Sequence, residues 1–369
     1  MTQLFDNFKD KTILVTGHTG FKGSWLSIWL THLGAKVVGV SDSEVGKPSN
    51  FSVSAISTVI EDHRLDIRDS DTVKALVKKV QPDFLFHLAA QALVRPSYEN
   101  PIETMTTNAI GTANVLDALR VLNKKVVAVM ITSDKAYDNV EWVWGYRESD
   151  RLGGKDPYSA SKGMAELVIR SYVESFFNDS DSNIRVGVTR AGNVIGGGDW
   201  AVDRIVPDCM EAWASGETVD IRSPHATRPW QHVLEPLSGY LVLAADLAQS
   251  GKNHGEAYNF GPSADQNYPV SNLIDEMSKY WDQIRWNDIS NNKGHVHEAG
   301  LLKLNCDKSL FDLQWHSALQ FEETVKMTVE WYKAYYQNQE QSMYDFTIDQ
   351  IESYTKAAKL KGVSWASHD

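Results

Sequence analysis

The chain is predicted to be an α/β protein built on a doubly wound parallel sheet, with a smaller, mostly C-terminal lobe. Three features of the sequence predict this. Short continuous apolar runs alternate with helix-length amphipathic stretches through the first half, a glycine-rich turn follows the first run, and the alternation fails after residue 191. The runs are "TILV" (12–15), "KVVGV" (36–40), "FLFHLA" (84–89), "VVAVMIT" (126–132) and "RVGVTR" (185–190). Strands without a polar alternation are buried on both faces, as they are in parallel sheets covered by helices. The intervening stretches 71–80, 101–122 and 157–177 carry apolar residues at helical spacing. Beyond residue 191, "GGGDW" (196–200) and "RSPHATRPW" (222–230) read as loops, and about 320–369 is helical in pattern.

Composition removes several classes of function. The 369 residues carry a formal net charge of −12 with no block of Lys and Arg, which disfavours nucleic acid as a partner. Cys209 and Cys306 are the only cysteines and lie far apart, so neither a disulfide framework nor a zinc ribbon is indicated. The N-terminus lacks a basic start followed by an apolar stretch, and no apolar run is long enough to span a bilayer. The expectation is a cytoplasmic protein with no membrane partner.

"ILVTGHTGFKGSWL" places Gly17, Gly20 and Gly23 in a G-x-x-G-x-x-G spacing between a strand and a helix. Such glycines allow a tight turn, close approach to a diphosphate, and close packing of helix on strand, with the helix N-terminus facing the anion. Asp42, at the end of the second strand, stands where a carboxylate accepts hydrogen bonds from an adenosine ribose, which favours NAD over NADP. It reads equally as a solvated turn residue. Asp66 and Ile67, in "RLDI", either bracket an adenine or simply end a strand. On these grounds residues 1–190 form the NAD-binding domain, with a returning segment at about 229–262, and 191–228 with 263–369 form the second lobe.

Two further clusters carry chemistry. "VVAVMITSDKAYDN" crowds Ser133, Asp134 and Lys135 at the end of a buried strand, where polar residues also serve simply as an exit to solvent. "DPYSASKGMAE" sets Tyr158 and Lys162 four apart, on one helical face, where an ammonium can depress a phenol pKa and make Tyr158 a usable acid or base. No other Y-x-x-x-K occurs in the chain.

The glycine turn, "HLAAQALV", "TNAIGTANVL", "TSDKAY", the Tyr158/Lys162 pair and "RAGNVIG" together resemble the extended short-chain dehydrogenase/reductase superfamily, a Rossmann-fold group, in its nucleotide-sugar branch. The resemblance covers nearly the whole chain. Members with T-D-E after the fifth strand look like nucleotide-sugar 4,6-dehydratases. S-D-K in that place, with "GHTGFKGSWL" and "RPWQHVLEPL", is similar to the CDP-glucose 4,6-dehydratases.

The resemblance implies a three-step cycle on CDP-glucose: oxidation at C4 by NAD, elimination of water across C5 and C6, and return of hydride to C6. It implies that Phe21, Leu88, Ala89 and Ala90 join the glycines, Asp42, Asp66, Ile67, Tyr158 and Lys162 around NAD. Tyr158 would take the C4 hydroxyl proton with help from Ser133, and Lys162 would hold the nicotinamide ribose. Asp134 would be the acid for departing water, in protonated form. Lys135 would be either a neutral base for the C5 proton or a charged group that stabilises the enolate. The resemblance further implies a bacterial surface polysaccharide, such as the O-antigen of lipopolysaccharide, as the destination of the sugar.

Arg204 and Arg228 lie in loops where a guanidinium can bind phosphate, or equally a surface carboxylate, and Asn193 is a candidate contact to sugar or phosphate. "HVHE" (295–298) has two His without further ligands at suitable spacing, so no metal is expected. A 4-epimerase would share the glycine turn, Tyr158 and Lys162 but has no step for an acid and base at C5 and C6. A redox-sensing binding protein would have little reason to keep Ser133, Tyr158 and Lys162 together. Relatives commonly dimerise through two long helices, so 101–122 and 157–177 are candidates to form a homodimer, or a dimer of dimers, if not buried within the subunit.

Overall fold

The computed structural model describes residues 3–367 apart from 45, 47, 180–181, 291–300 and 339. Its core is a parallel sheet formed by β1 (Thr12–Thr16), β2 (Lys36–Ser41), β3 (Glu61–Arg64), β4 (Phe84–His87), β5 (Val126–Ile131) and β6 (Ile184–Arg190), with Ala257–Asn259 as a seventh strand. Across the sheet the order is Ala257–Asn259, β6, β5, β4, β1, β2, β3. β1 pairs with both β2 and β4, so the winding reverses at β1, and the crevice for a ligand opens beyond the carboxyl ends of β1 and β4.

The period of two in each strand decides which core a side chain joins. Leu14, Leu85, Ala128 and Val186 face one layer of helices, whereas Val15, Phe86 and Val129 face the other. The helices Ser70–Val80, Gly111–Leu119 and Pro157–Tyr172 cover the first face. Phe21–His32 and Leu234–Gln249 cover the second, and Trp25 and Trp29 of the former are completely enclosed. The apolar runs read from the sequence coincide with β1, β2, β4, β5 and β6 to within a residue or two at each end.

The stretch 101–122 is interrupted. Helical turns at Pro101–Met105 and Gly111–Leu119 flank a π-turn at Thr106–Ile110. The wider turn turns Asn108 toward its neighbours: its amide donates to the Gln91 carbonyl (3.0 Å) and to Ser161 Oγ (2.8 Å), tying the loop after β4 to the helix Pro157–Tyr172.

Beyond β6 the chain adds short strand pairs, Val194–Ile195 with Gln231–His232 and Val219–Ile221 with Trp286–Asp288, and the helices Phe321–Gln337 and Met343–Leu360. Trp331 lies flat against Gly197, where an added Cβ would sit 2.0 Å from the indole. Tyr332 donates its hydroxyl hydrogen to the Asp199 carbonyl. The C-terminal helices therefore buttress the "GGGDW" loop. Among the described residues no helix is long and apolar enough to cross a membrane.

Candidate active site

The glycine turn closes on itself. Gly17 has φ +75°, and a Cβ there would lie 2.6 Å from the Ala89 amide nitrogen. At Gly23 a Cβ would lie 2.1 Å from the Gly17 carbonyl oxygen. Any side chain at either position would push apart the turn, the helix Phe21–His32 and the loop after β4. Gly20 stands at the N-cap of that helix and has no side chain to cap it, so the positive end of the helix dipole at this turn favours an anion. Thr19 Oγ1 donates to Ser41 Oγ (2.8 Å) and to the Ser43 carbonyl (2.7 Å), fixing the turn to the end of β2 where Asp42 stands exposed. Leu88, Ala89 and Ala90 are half-buried beside the turn. A cradle that side chains would fill, an uncapped helix end and a carboxylate at the neighbouring strand end fit the diphosphate and ribose of NAD.

The adenine candidates lie further along this edge. Asp66 pairs with Arg68 at 2.6 Å, which holds its carboxyl below the usual range. Ile67 is buried against Gly111, and its carbonyl accepts from Asn114 Nδ2 (3.0 Å).

At the end of β5, Ser133 caps a single helical turn, Asp134–Ala136. Its Oγ accepts from the Lys135 amide (3.2 Å) and donates to Asp134 Oδ1 (3.0 Å). Asp134 is buried against Gly192, where a Cβ would lie 1.9 Å from Oδ2. Asp156 caps the helix Pro157–Tyr172 by accepting from the Ser159 amide (2.9 Å), which sets Tyr158 in the first turn, hydrogen-bonded with Ser133. Ser133, Asp134 and Tyr158 thus form one buried cluster, with Lys135 half-buried beside it.

The charges differ from expectation in one respect. Burial pushes the Tyr158 phenol up to about 12, helped by Asp134, against the Ser133 hydrogen bond and the Arg204 charge. The depression expected from Lys162 is not what dominates: its ammonium lies 6.0 Å from the phenol ring, and desolvation outweighs it. Burial brings Lys162 itself down to about 8, opposed by Glu166 one turn further along the helix.

Glu166 belongs to a buried network. Arg190, at the end of β6, donates to it from Nε (2.7 Å) and Nη2 (3.0 Å), and Thr132 donates to it at 2.6 Å. Arg190 Nη1 also donates to the Tyr137 hydroxyl (2.7 Å). The ends of β5 and β6 are thereby locked to the helix that carries Tyr158 and Lys162.

A second ammonium reaches the same cluster from the glycine turn. Lys22 donates to the Tyr240 hydroxyl (3.4 Å) and is lowered to about 8, first by burial, then by the charges of Arg204 and Lys162, against the attraction of Asp134. Arg204 pairs with Asp199 at 2.6 Å and feels Tyr158 and Tyr332. Arg228 donates to the Thr227 carbonyl (2.8 Å). Asn193 takes a left-handed conformation, φ 52°, and lines a hollow with Asp134, Gly192, Gln231 and Lys303. The His pair of "HVHE" lies outside the described residues. Among the described residues no three His, Cys, Asp or Glu side chains gather as a metal site.

Residues 14–328 match the family model described as GDP-mannose 4,6 dehydratase. The chain belongs to this family. A 4,6-dehydratase relative, the CDP-glucose 4,6-dehydratase of Salmonella typhimurium, is 46% identical over 89% of this chain and 92% of its own length. The dTDP-glucose 4,6-dehydratase of Streptomyces antibioticus is 28% identical over 87% of this chain and 92% of its own. Among solved structures, the UDP-glucose 4-epimerase of Thermotoga maritima superposes with a TM-score of 0.74 at 23% identity, covering 88% of this chain and 99% of its own. The dTDP-glucose 4,6-dehydratase DesIV of Streptomyces venezuelae, solved with NAD bound, superposes with a TM-score of 0.71 at 24% identity, covering 87% and 97%. At these identities the structures establish the Rossmann fold of the family, shared by its epimerases and dehydratases.

Ser133, Asp134, Lys135, Tyr158 and Lys162 stand out in the sequence, whereas Lys22, Glu166, Arg190 and Gln231 join them only in the fold. For Glu166 a signal was present: Tyr158, Lys162 and Glu166 follow one another at spacings of four, on one face of a helix. Lys22, inside the glycine turn, reads as an ordinary solvated residue until the fold sets Asp134 opposite it.

Proposed function

We propose that this chain converts CDP-D-glucose to CDP-4-keto-6-deoxy-D-glucose and water. The observation that carries the reading is Asp134, a carboxyl held buried beside Ser133 and Tyr158. A 4-epimerase has no step that uses it. The high identity to a CDP-glucose 4,6-dehydratase supports the same choice of reaction and of nucleotide.

NAD, held by the glycine turn, Asp42, Tyr158 and Lys162, would supply the hydride chemistry and a positive charge. Tyr158 accepts the C4 hydroxyl proton, with Ser133 sharing the hydrogen bond. Its phenol rests protonated, so it acts as a base only as cations favour its ionised form, and Arg204 already pulls in that direction. The C4 ketone then acidifies the C5 hydrogen. As that proton leaves, Asp134 protonates the C6 hydroxyl and the C6–O bond breaks, releasing water. Lys135 either accepts the C5 proton as a neutral amine or stays charged and stabilises the enolate. A Lys135→Met variant separates the two: near-normal exchange of the C5 hydrogen with solvent deuterium eliminates the base role. Arg204, Arg228 and Asn193 bind the diphosphate and sugar from the second lobe, and Asp66 and Ile67 border the adenine.

The enzyme works in the cytoplasm as a homodimer or a dimer of dimers. Ile102, Ile110, Met164 and Leu167 leave 71%, 51%, 40% and 58% of their surfaces exposed on the two candidate helices, an apolar face that a second copy would cover. Sedimentation of the purified protein tests this, and a monomer at micromolar concentration overturns it.

The function is tested by proton NMR of the protein with NAD and, separately, CDP-, UDP-, GDP- and dTDP-glucose. A new C6 methyl doublet with CDP-glucose alone, without net NADH, is the expected result. Inversion at C4 without a methyl signal would make the chain an epimerase.

A further inference from the structure

Gln231 opens the short strand Gln231–His232, and only 1% of its surface is exposed. Its side-chain amide donates to two backbone carbonyls, Gly192 (2.9 Å) and Phe260 (3.0 Å). Two acceptors at the nitrogen fix which end of the amide is which, because an oxygen there would face two other oxygens. The remaining atom, Oε1, is buried and has no hydrogen-bond partner among the described residues. An acceptor taken from water and left unmatched is costly, so such atoms mark places where a ligand or water completes the structure.

What lies around it indicates the ligand. Gln231 lines the same hollow as Asp134 and Asn193, and Gly192, whose carbonyl Gln231 holds, is the residue against which Asp134 packs. The oxygen accepts and cannot donate, so it calls for a hydroxyl or amino hydrogen. Asp134 in the same hollow calls for an oxygen that can receive a proton. A primary hydroxyl meets both demands at once.

We propose that Gln231 is a further substrate-binding and specificity residue, whose Oε1 accepts a hydrogen bond from the sugar C6 hydroxyl, the group that departs as water. The inference rests on the dehydratase reading. Held by its own hydrogen at Gln231, the hydroxyl presents a lone pair to the Asp134 carboxyl. The proton passes from Asp134 to that oxygen, the C6–O electrons leave with it, and the new water keeps its hydrogen bond to Gln231.

The test uses the full-length protein with NAD, after wild-type turnover of CDP-glucose has been measured. If CDP-glucose is neither bound nor turned over, the dehydratase reading fails and this assignment with it. If it is turned over, binding of CDP-glucose is compared with that of CDP-6-deoxyglucose and CDP-6-deoxy-6-fluoroglucose by titration calorimetry. The wild type should bind the 6-fluoro analogue, which has no hydrogen to donate, about 10-fold more weakly than CDP-glucose, the worth of one neutral hydrogen bond. Gln231→Leu and Gln231→Met should weaken CDP-glucose by a similar factor and leave both analogues unchanged. Equal wild-type affinity for CDP-glucose and the 6-fluoro analogue, which needs no variant to fold, overturns the proposal. So does a loss of affinity spread evenly over all three ligands in the variants, the mark of a residue that only holds the backbone.

Discussion

At Gly192 the absence of a side chain is what gives Asp134 its position. A methyl group at 192 would stand 1.9 Å from Asp134 Oδ2, an overlap that neither the buried carboxylate nor the backbone can absorb without moving. Gly192→Ala should therefore displace the acid while leaving Tyr158 and Ser133 in place. Because a misplacement of 1 Å can cost about 10²-fold in rate, elimination should slow by that order while C4 oxidation continues. Absorbance of reduced nicotinamide, which stays flat in the wild type, should then build up during turnover. A second prediction at this scale concerns pH. Lys162 keeps its proton below a pKa of about 8 and loses it above, so kcat/KM should fall as pH rises through about 8. Lys22 is lowered to about 8 as well, and Lys22→Met tells the two apart. The alkaline limb should survive in that variant if Lys162 sets it, and vanish if Lys22 does.

Among the elements, the helix Leu234–Gln249 carries a group whose charge bears on folding rather than chemistry. Glu235 is buried in its first turn and accepts from the Ala318 and Leu319 amides and from the Tyr354 hydroxyl, joining this helix to the loop before Phe321–Gln337 and to Met343–Leu360. Burial raises its carboxyl from 4.5 to about 7. The folded chain therefore binds more protons than the unfolded one between those values. The stabilisation from this group is complete below pH 4.5 and declines as pH rises through about 7. His87 and His232, both brought down to about 3 by burial, act oppositely, losing stability as pH falls from 6.5. Glu235→Gln, which keeps an acceptor without a charge, should raise the unfolding temperature relative to wild type by a margin that grows from pH 5 to 8. A margin independent of pH would show that Glu235 does not titrate there. Elements of this kind also show what a sequence can disclose. β1, β4 and β5 were legible because burial on both faces demands unbroken apolar runs. β3 was not read directly, because an edge strand can be made of Glu61, Asp62, His63 and Arg64, with charge that guards the edge. The pair Val194–Ile195 with Gln231–His232 was illegible because two residues carry no period. Lys22 and Gln231 were invisible for a different reason: Lys22 meets Tyr240, 218 residues away, and Gln231 meets Gly192 and Phe260, 39 and 29 residues away, contacts that only the fold brings about.

Across the whole molecule, the first half builds the glycine turn and the Ser133–Lys135 turn, and the last helices buttress the loop at Gly197–Trp200. Trp331 is fully buried, packs on Gly197 and stands edge-on to Trp200, with ring centroids 5.7 Å apart. Its indole nitrogen donates to Thr347 Oγ1 (3.0 Å), joining the two C-terminal helices. The loop it supports carries Asp199, the partner of Arg204, whose charge reaches Tyr158. Trp331→Ala should destabilise the protein by about 3–5 kcal/mol through the lost burial and the cavity it leaves. The loss should not be confined to stability. With the loop unsupported, Arg204 is less firmly placed, so at a temperature where the variant remains folded CDP-glucose should bind more weakly while NAD binding, which depends on the glycine turn across the crevice, is retained. Denaturant unfolding and calorimetry of each ligand check the two halves separately. An equal loss of NAD and CDP-glucose affinity would mean that the C-terminal helices support the entire crevice rather than the substrate wall alone.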